Sequence, residues 1–129
     1  MHATLTRPYR ILIVDDEPNI VVALEFLMQQ AGYLTETAYD GREALDKFSY
    51  FEPDLIVLDV MMPHMQGYEV AQRIREAHEL STVKIIFLTA KGTARDKHLG
   101  YDAGGDVYLT KPFDNQHLIA TVAEMLEFG

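Results

Sequence analysis

Three short runs constrain this chain more than anything else in it: Ile11-Leu12-Ile13-Val14, Leu55-Ile56-Val57-Leu58 and Ile85-Ile86-Phe87-Leu88. Each is apolar without a break, so neither face of the segment can be left to water. Runs this short and this rich in branched aliphatics read as strands buried on both faces. A membrane span needs roughly 20 apolar residues, and the apolar stretches here are only strand-sized. The chain must therefore supply its own cover for two sides of a sheet.

It does so by alternation. Strand candidates Arg10–Val14, Leu34–Ala38, Leu55–Leu58, Lys84–Thr89 and Val107–Thr110 alternate with helically spaced segments at Pro18–Ala31, Gly41–Tyr50, Gly67–Glu79, Thr93–Ala103 and Asn115–Phe128. Along the last of these, Leu118, Ile119, Val122, Met125 and Leu126 fall on one stripe. Pro18 suits a first helical turn and Gly32 a helix C-cap. The pattern predicts an α/β fold with a parallel sheet covered on both faces. "LTETA" and "DVYLT" carry polar residues and belong at the edges, the apolar runs in the centre. Right-handed crossovers with short connections then favour the five-strand order 2-1-3-4-5, a flavodoxin-like three-layer (βα)5 sandwich. At 129 residues and 48% hydrophobic content, the expectation is one domain over residues 1–129 with its core at about 9–126 and no output domain.

Twenty acids against 11 bases give a net charge of -9. With no Lys/Arg cluster to reverse that locally, direct nucleic-acid binding is disfavoured, and cations or basic protein faces are the favoured ligands. The absence of cysteine excludes disulfides and thiolate metal sites. "MHATLTRPYR" lacks the apolar core of a secretory signal, so a cytoplasmic protein without a membrane anchor is expected.

Ligands of open parallel sheets bind where the strand order reverses, here beyond the C-terminal ends of strands 1 and 3. Strand 1 ends in Asp15-Asp16-Glu17 and strand 3 runs into Asp59. Strand 4 ends in Thr89, and strand 5 leads into Lys111. Two like charges about 4 Å apart repel by roughly 4 kcal/mol at an effective dielectric near 20. A divalent cation relieves that repulsion, and hard carboxylate oxygens suit Mg²⁺. With Mg²⁺ and Lys111 holding a phosphoryl group and Thr89 donating a hydrogen bond, one carboxylate could attack phosphorus and form an acyl phosphate. Each residue alone also has a plainer role. The first three acids could begin a helix, Asp59 could cap a turn, Thr89 could be an ordinary strand residue and Lys111 a solvated lysine. All of them at adjacent strand ends point to phosphoryl chemistry.

The motifs "ILIVDDEP", "DLIVLDVMMPHMQG", "IIFLTAKG" and "GYDAGGDVYLTKPF" resemble those of receiver (response regulator) domains of two-component signalling, from about Tyr9 to Leu126. The resemblance implies that Asp59 accepts the phosphoryl group from a phosphohistidine on a sensor histidine kinase or phosphotransfer protein. It implies Asp16 as the direct Mg²⁺ carboxylate, Asp15 bound mostly through water, and the main-chain carbonyl of Met61 as a further ligand. Lys111 resembles the phosphoryl-binding lysine, with a cis bond to Pro112. Thr89 resembles the switch hydroxyl, and Tyr108 the aromatic that turns inward after it; by position alone Tyr108 is an edge-strand tyrosine. Such a domain is a switch that acts only on itself, by phosphotransfer and slow autodephosphorylation. It controls a partner or output domain through the face of the fourth helix, fifth strand and fifth helix.

Three departures from the family pattern stand out. Met61 and Lys91 occupy positions that in the family influence hydrolysis, and a thioether cannot orient water, so a long-lived phosphoryl state is expected. Arg95, Gly100, Gly104 and Gly105 make the fourth helix poor, and residues 93–105 are expected to be the most mobile and to report phosphorylation. Thr121 and Ala123 stand where dimerising DNA-binding relatives often carry arginines, so a monomer or a phosphorylation-dependent dimer of another kind is expected. The loop methionines read as packing, and His2, His64, His78, His98 and His117 as surface residues without metal spacing. Two rival readings remain. One is a pseudo-receiver, an interaction module that is never phosphorylated. The other is a haloacid-dehalogenase-like phosphatase, which wants an acid where Met61 stands.

Overall fold

The computed structural model describes residues 7–78, 81–90 and 106–128. It contains strands β1 (Arg10–Val14), β2 (Leu34–Ala38), β3 (Leu55–Asp59), β4 (Lys84–Thr89) and β5 (Val107–Thr110). Among the described residues the helices are α1 (Pro18–Gln30), α2 (Gly41–Phe51), α3 (Gly67–Ala77) and α4 (Asn115–Phe128). All strands are parallel, in the order β2-β1-β3-β4-β5, as the strand compositions predict. The helix expected at Thr93–Ala103, and with it Lys91, Arg95 and the mobility expected of residues 93–105, lies outside the described residues.

Alternation along the central strands splits the core into two layers. Leu12, Val14, Ile56, Leu58, Ile85 and Phe87 pack beneath α2 and α3, with Val70, Ala71 and Ile74 from α3 among them. Ile11, Ile13, Leu55, Val57, Ile86 and Leu88 pack beneath α1 and α4, against Leu24, Met28, Leu118 and Val122. Fully burying one such aliphatic side chain stabilises by about 1.5–3 kcal/mol, so the central strands hold the sheet rigid. That rigidity fixes the strand ends in space.

Element ends differ from the sequence expectation where local bonding decides. Strand β3 continues through Asp59, which pairs in register with Leu88, and the Val60 amide then donates to the Leu88 carbonyl at 3.0 Å. Helix α1 closes one residue early at Gln30, with Gly32 at φ 94° just beyond its cap. Helix α2 runs on to Phe51 before Glu52 turns left-handed, and α3 stops at Ala77. Asp40 caps α2 by accepting from the Glu43 amide, while the Glu43 carboxylate accepts from the Tyr39 amide. The first bond satisfies a free donor of the first turn, and the second ties the residue before the cap to the helix.

Candidate functional site

The site is assembled by strand ends. Val14, the last residue of β1, pairs with Ala38 on one side and Leu58 on the other, so Asp15 and Asp59 emerge from neighbouring strands. The Asp15 amide donates to the Ala38 carbonyl at 3.1 Å, which extends the ladder one step past β1. On the far side, Thr89 pairs with Thr110, and the Lys111 amide donates to the Thr89 carbonyl at 2.7 Å. The Lys111–Pro112 peptide bond is cis, as the family resemblance implies.

Lys111 ties the two acidic strand ends together. Its ammonium donates to Asp15 Oδ2 at 2.9 Å and to Asp59 Oδ1 at 3.1 Å, and lies 3.8 Å from Glu17 Oε1. Asp15 is fully buried, Asp59 is 4% exposed and Thr89 is buried. Asp16 is half-buried. One carboxylate oxygen from each of Asp15, Asp16 and Asp59 lies within 4.8 Å of the others.

The plainer role of helix start is taken up in part. Glu17 is the N-cap of α1, yet no side chain caps that helix and its first turn holds no acid. Asp15 Oδ1 accepts from the Glu17 amide at 2.9 Å, and the cap residue of α3 is Gln66 rather than Asp59. One oxygen of Asp15 thus serves the start of α1 while the other meets Lys111.

Burial and the neighbouring charge of Asp15 push the Asp59 carboxyl up to about 7, with Lys111 pulling the other way. Burial works against the Lys111 ammonium. Its hydrogen bond to Asp15 and the charges of Asp59 and Asp15 outweigh that, and its pKa stands above the ordinary lysine value. Three carboxylates share one ammonium, so negative charge is in excess at a poorly hydrated spot. All the acidic donors are hard oxygens. Donor type and charge balance both fit a hard divalent cation, and no histidine or sulfur ligand belongs to the cluster.

The other predicted residues divide. Tyr108 is buried, its ring 6.0 Å from that of Phe87 and its hydroxyl hydrogen-bonded to that of Tyr68. Met62 is buried and Met65 packs on the same core, as expected of the loop methionines. Met61 is the exception: it is 51% exposed, between the buried Val60 and Met62. His64 and His117 are exposed, and His78 is half-buried with its ring 4.7 Å from that of Phe48.

Two contributors escaped the sequence reading. A Cβ on Gly67 would lie 2.2 Å from the Asp59 carbonyl oxygen, so only glycine lets α3 start against the end of β3. Gly67 was legible as a helix start but not as a close approach. Tyr68 carried no signal at all, since an aromatic in a first helical turn is ordinary.

A doubly wound parallel sheet with a buried acid-and-lysine cluster at its switch point is the architecture of a ligand-responsive α/β domain. The family model of the response regulator receiver domain matches residues 11–123, and the chain belongs to that family. The DNA-binding dual master transcriptional regulator RpaA of Synechocystis is 40% identical over 117 residues, 91% of this chain and 48% of the relative. The chain thus spans about half the length of that curated relative. Among solved structures, the chemotaxis protein CheY4 of Vibrio cholerae superposes with a TM-score of 0.88 at 34% identity, covering 92% of this chain and 99% of that one. The BeF3-activated DrrB receiver domain gives 0.84 at 33% identity, covering 94% and 99%. Receiver domains are signalling switches rather than enzymes in the ordinary sense. No helix among the described residues is long and apolar enough to cross a membrane.

Proposed function

We propose that this chain is a phosphorylation-activated switch whose phosphoacceptor is Asp59. The phosphoryl group comes from a phosphohistidine on a sensor histidine kinase or phosphotransfer protein. A carboxylate oxygen of Asp59 forms the new bond to phosphorus, the phosphorus–nitrogen bond breaks, and the imidazole leaves with the electron pair. Lys111 then exchanges its contact with Asp59 for one with a phosphoryl oxygen, and the Thr89 hydroxyl donates to another. Bound Mg²⁺ supplies neutralisation of the phosphoryl charge. As the family resemblance implies, Asp16, the more open carboxylate, would hold it directly, Asp15, whose oxygens already accept from Glu17 and Lys111, would act mainly through water, and the Met61 carbonyl would complete the set.

One observation carries this reading: a buried carboxylate at a strand end, 3.1 Å from a lysine and clustered with two further acids. The BeF3-activated state named for the DrrB relative supports it, because trifluoroberyllate mimics a phosphoryl group on a carboxylate. Output passes through β5, α4 and the segment between β4 and β5 to a partner or further domain. We place the switch in the cytoplasm, as a single receiver domain over residues 1–129. It acts as a monomer or as a phosphorylation-dependent dimer, with no direct nucleic-acid contact of its own.

The test is mass spectrometry after mixing with Mg²⁺ and a small acyl phosphate. A single phosphoryl increment is expected, absent in Asp59→Asn. An unaltered chain that gains no increment would leave the interaction-module reading in its place.

A further inference from the structure

Tyr68 joins the start of α3 to Tyr108. It is the second residue of α3, and the residue before it, Gly67, donates its amide to the Val60 carbonyl at 2.9 Å. Gly67 also sits against the Asp59 carbonyl too closely to admit a Cβ. The start of α3 is therefore fixed to the backbone of the proposed phosphoacceptor. From there the Tyr68 ring stacks edge-on against Phe87, with centroids 5.1 Å apart and planes at 76°. Phe87 is fully buried in β4, two residues before Thr89. The Tyr108 ring rests on the same phenyl group, and the two tyrosine hydroxyls bond to each other.

A buried tyrosine hydroxyl must find a partner, because leaving it unpaired forfeits its hydration without return. Tyr108 meets that requirement through Tyr68, and only in the inward orientation. We propose that Tyr68 is a positioning residue for the switch: its hydroxyl stabilises the inward orientation of Tyr108 and so raises the inward population at all times. The proposal rests on the switch reading above and adds to it a latch on α3. One net hydrogen bond of ordinary strength supports a shift of about fivefold in the inward-to-outward ratio. An inward-favouring latch also lowers the cost of occupying Asp59, since ligand binding is taxed by the fraction of chains in the competent state.

The experiment uses the whole chain with 3-fluorotyrosine incorporated, the Tyr108 fluorine signal being assigned from Tyr108→Phe. Tyr68→Phe keeps the ring on Phe87 and removes only the hydroxyl. It is expected to move the Tyr108 signal toward the exposed position by about fivefold in population ratio. Binding of beryllium trifluoride with Mg²⁺ should weaken in proportion to the lost inward fraction, and Tyr68→Phe should add nothing in a Tyr108→Phe background. A Tyr108 signal unmoved by Tyr68→Phe overturns the latch, as does an equal loss of binding in the Tyr108→Phe background. Beryllium trifluoride failing to bind the unaltered chain overturns the phosphoacceptor reading instead. The fluorine signal, which needs no ligand, then still decides on the latch.

Discussion

The two rims of the sheet handle aspartate in opposite ways. At the N-terminal rim, just before β3, Asp54 accepts from the Arg10 amide at 2.8 Å and from both Arg7 guanidinium nitrogens at 3.1 and 3.3 Å. Just before β5, Asp106 accepts from the Ile85 amide at 2.8 Å and from Arg75 at 3.1 Å. Each of these acids meets an arginine and a backbone donor. At the C-terminal rim, Asp15 and Asp59 share one lysine, with Asp16 clustered beside them. The same residue type closes the fold where its charge is matched and creates chemistry where charge accumulates. Balance, rather than residue type, separates the structural rim from the functional one.

That contrast predicts mutations of opposite sign. Asp59 has a folded-state pKa near 7 against an ordinary 3.8, so the folded protein binds more protons than the unfolded chain between those values. In that window stability must fall as pH rises. The penalty is absent below about pH 4 and complete above about pH 7, reaching up to about 4 kcal/mol. Asp59→Asn removes it. In metal-free buffer the variant should outlast the unaltered chain in urea at pH 8 and match it at pH 4. Asp54→Asn at the opposite rim should instead cost about 1 kcal/mol, because it weakens matched bonds. If both replacements shift the urea midpoint in the same direction at pH 8, the contrast between the rims fails.

Packing sharpens the comparison next. Gly67→Ala places a methyl group 2.2 Å from the Asp59 carbonyl oxygen, a backbone atom that cannot swing away. The start of α3 or the end of β3 must move. The expected cost is about 3 kcal/mol, and phosphoryl uptake at Asp59 should fall with it. Unchanged uptake in a folded Gly67→Ala protein would show that Asp59 does not depend on this contact for its geometry.

How much of this could be read before the structure depended on range. The strand order followed from composition, because LIVL must be central and LTETA tolerates an edge. Once the order was set, Asp15, Asp59 and Lys111 converged with no knowledge of side chains. The bonds of Lys111 to both acids were not legible, since they depend on rotamers. Neither was Tyr68, whose partner is 40 residues away and is met only through the way α3 packs over Phe87. The exposure of Met61 was missed for a related reason. Hydrophobicity argues for burial, but of the three residues after β3 only Val60 and Met62 are taken into the core, and Met61 between them is left exposed.

That exposure bears on kinetics at the functional rim. Met61 stands two residues after Asp59, and its thioether can neither donate to nor firmly orient a water. A carboxamide there can. Met61→Asn should therefore speed loss of the phosphoryl group by up to about tenfold, a barrier change of about 1.4 kcal/mol. The decay of the phosphoryl mass increment measures it, and an unaltered half-life removes Met61 from the hydrolytic step.

The smallest expected effect again pairs the rims. Among the described residues each has one non-glycine residue in left-handed backbone, Glu52 at φ 53° after α2 and His64 at φ 70° in the loop after β3. A Cβ there crowds the following carbonyl at about 1–2 kcal/mol, partly offset because glycine loses more entropy on folding. Glu52→Gly should thus stabilise by about 1 kcal/mol and leave Asp59 chemistry untouched, since Glu52 only closes a helix. Histidine enters this conformation more readily than glutamate, so His64→Gly should gain less. Its loop, however, joins Asp59 to Gly67, and added backbone freedom there loosens the link between the acid and α3. His64→Gly should accordingly weaken beryllium trifluoride binding while slightly raising the unfolding midpoint. If Glu52→Gly weakens binding as much, the two rims are not separable, and the division between matched and unmatched charge loses its functional meaning.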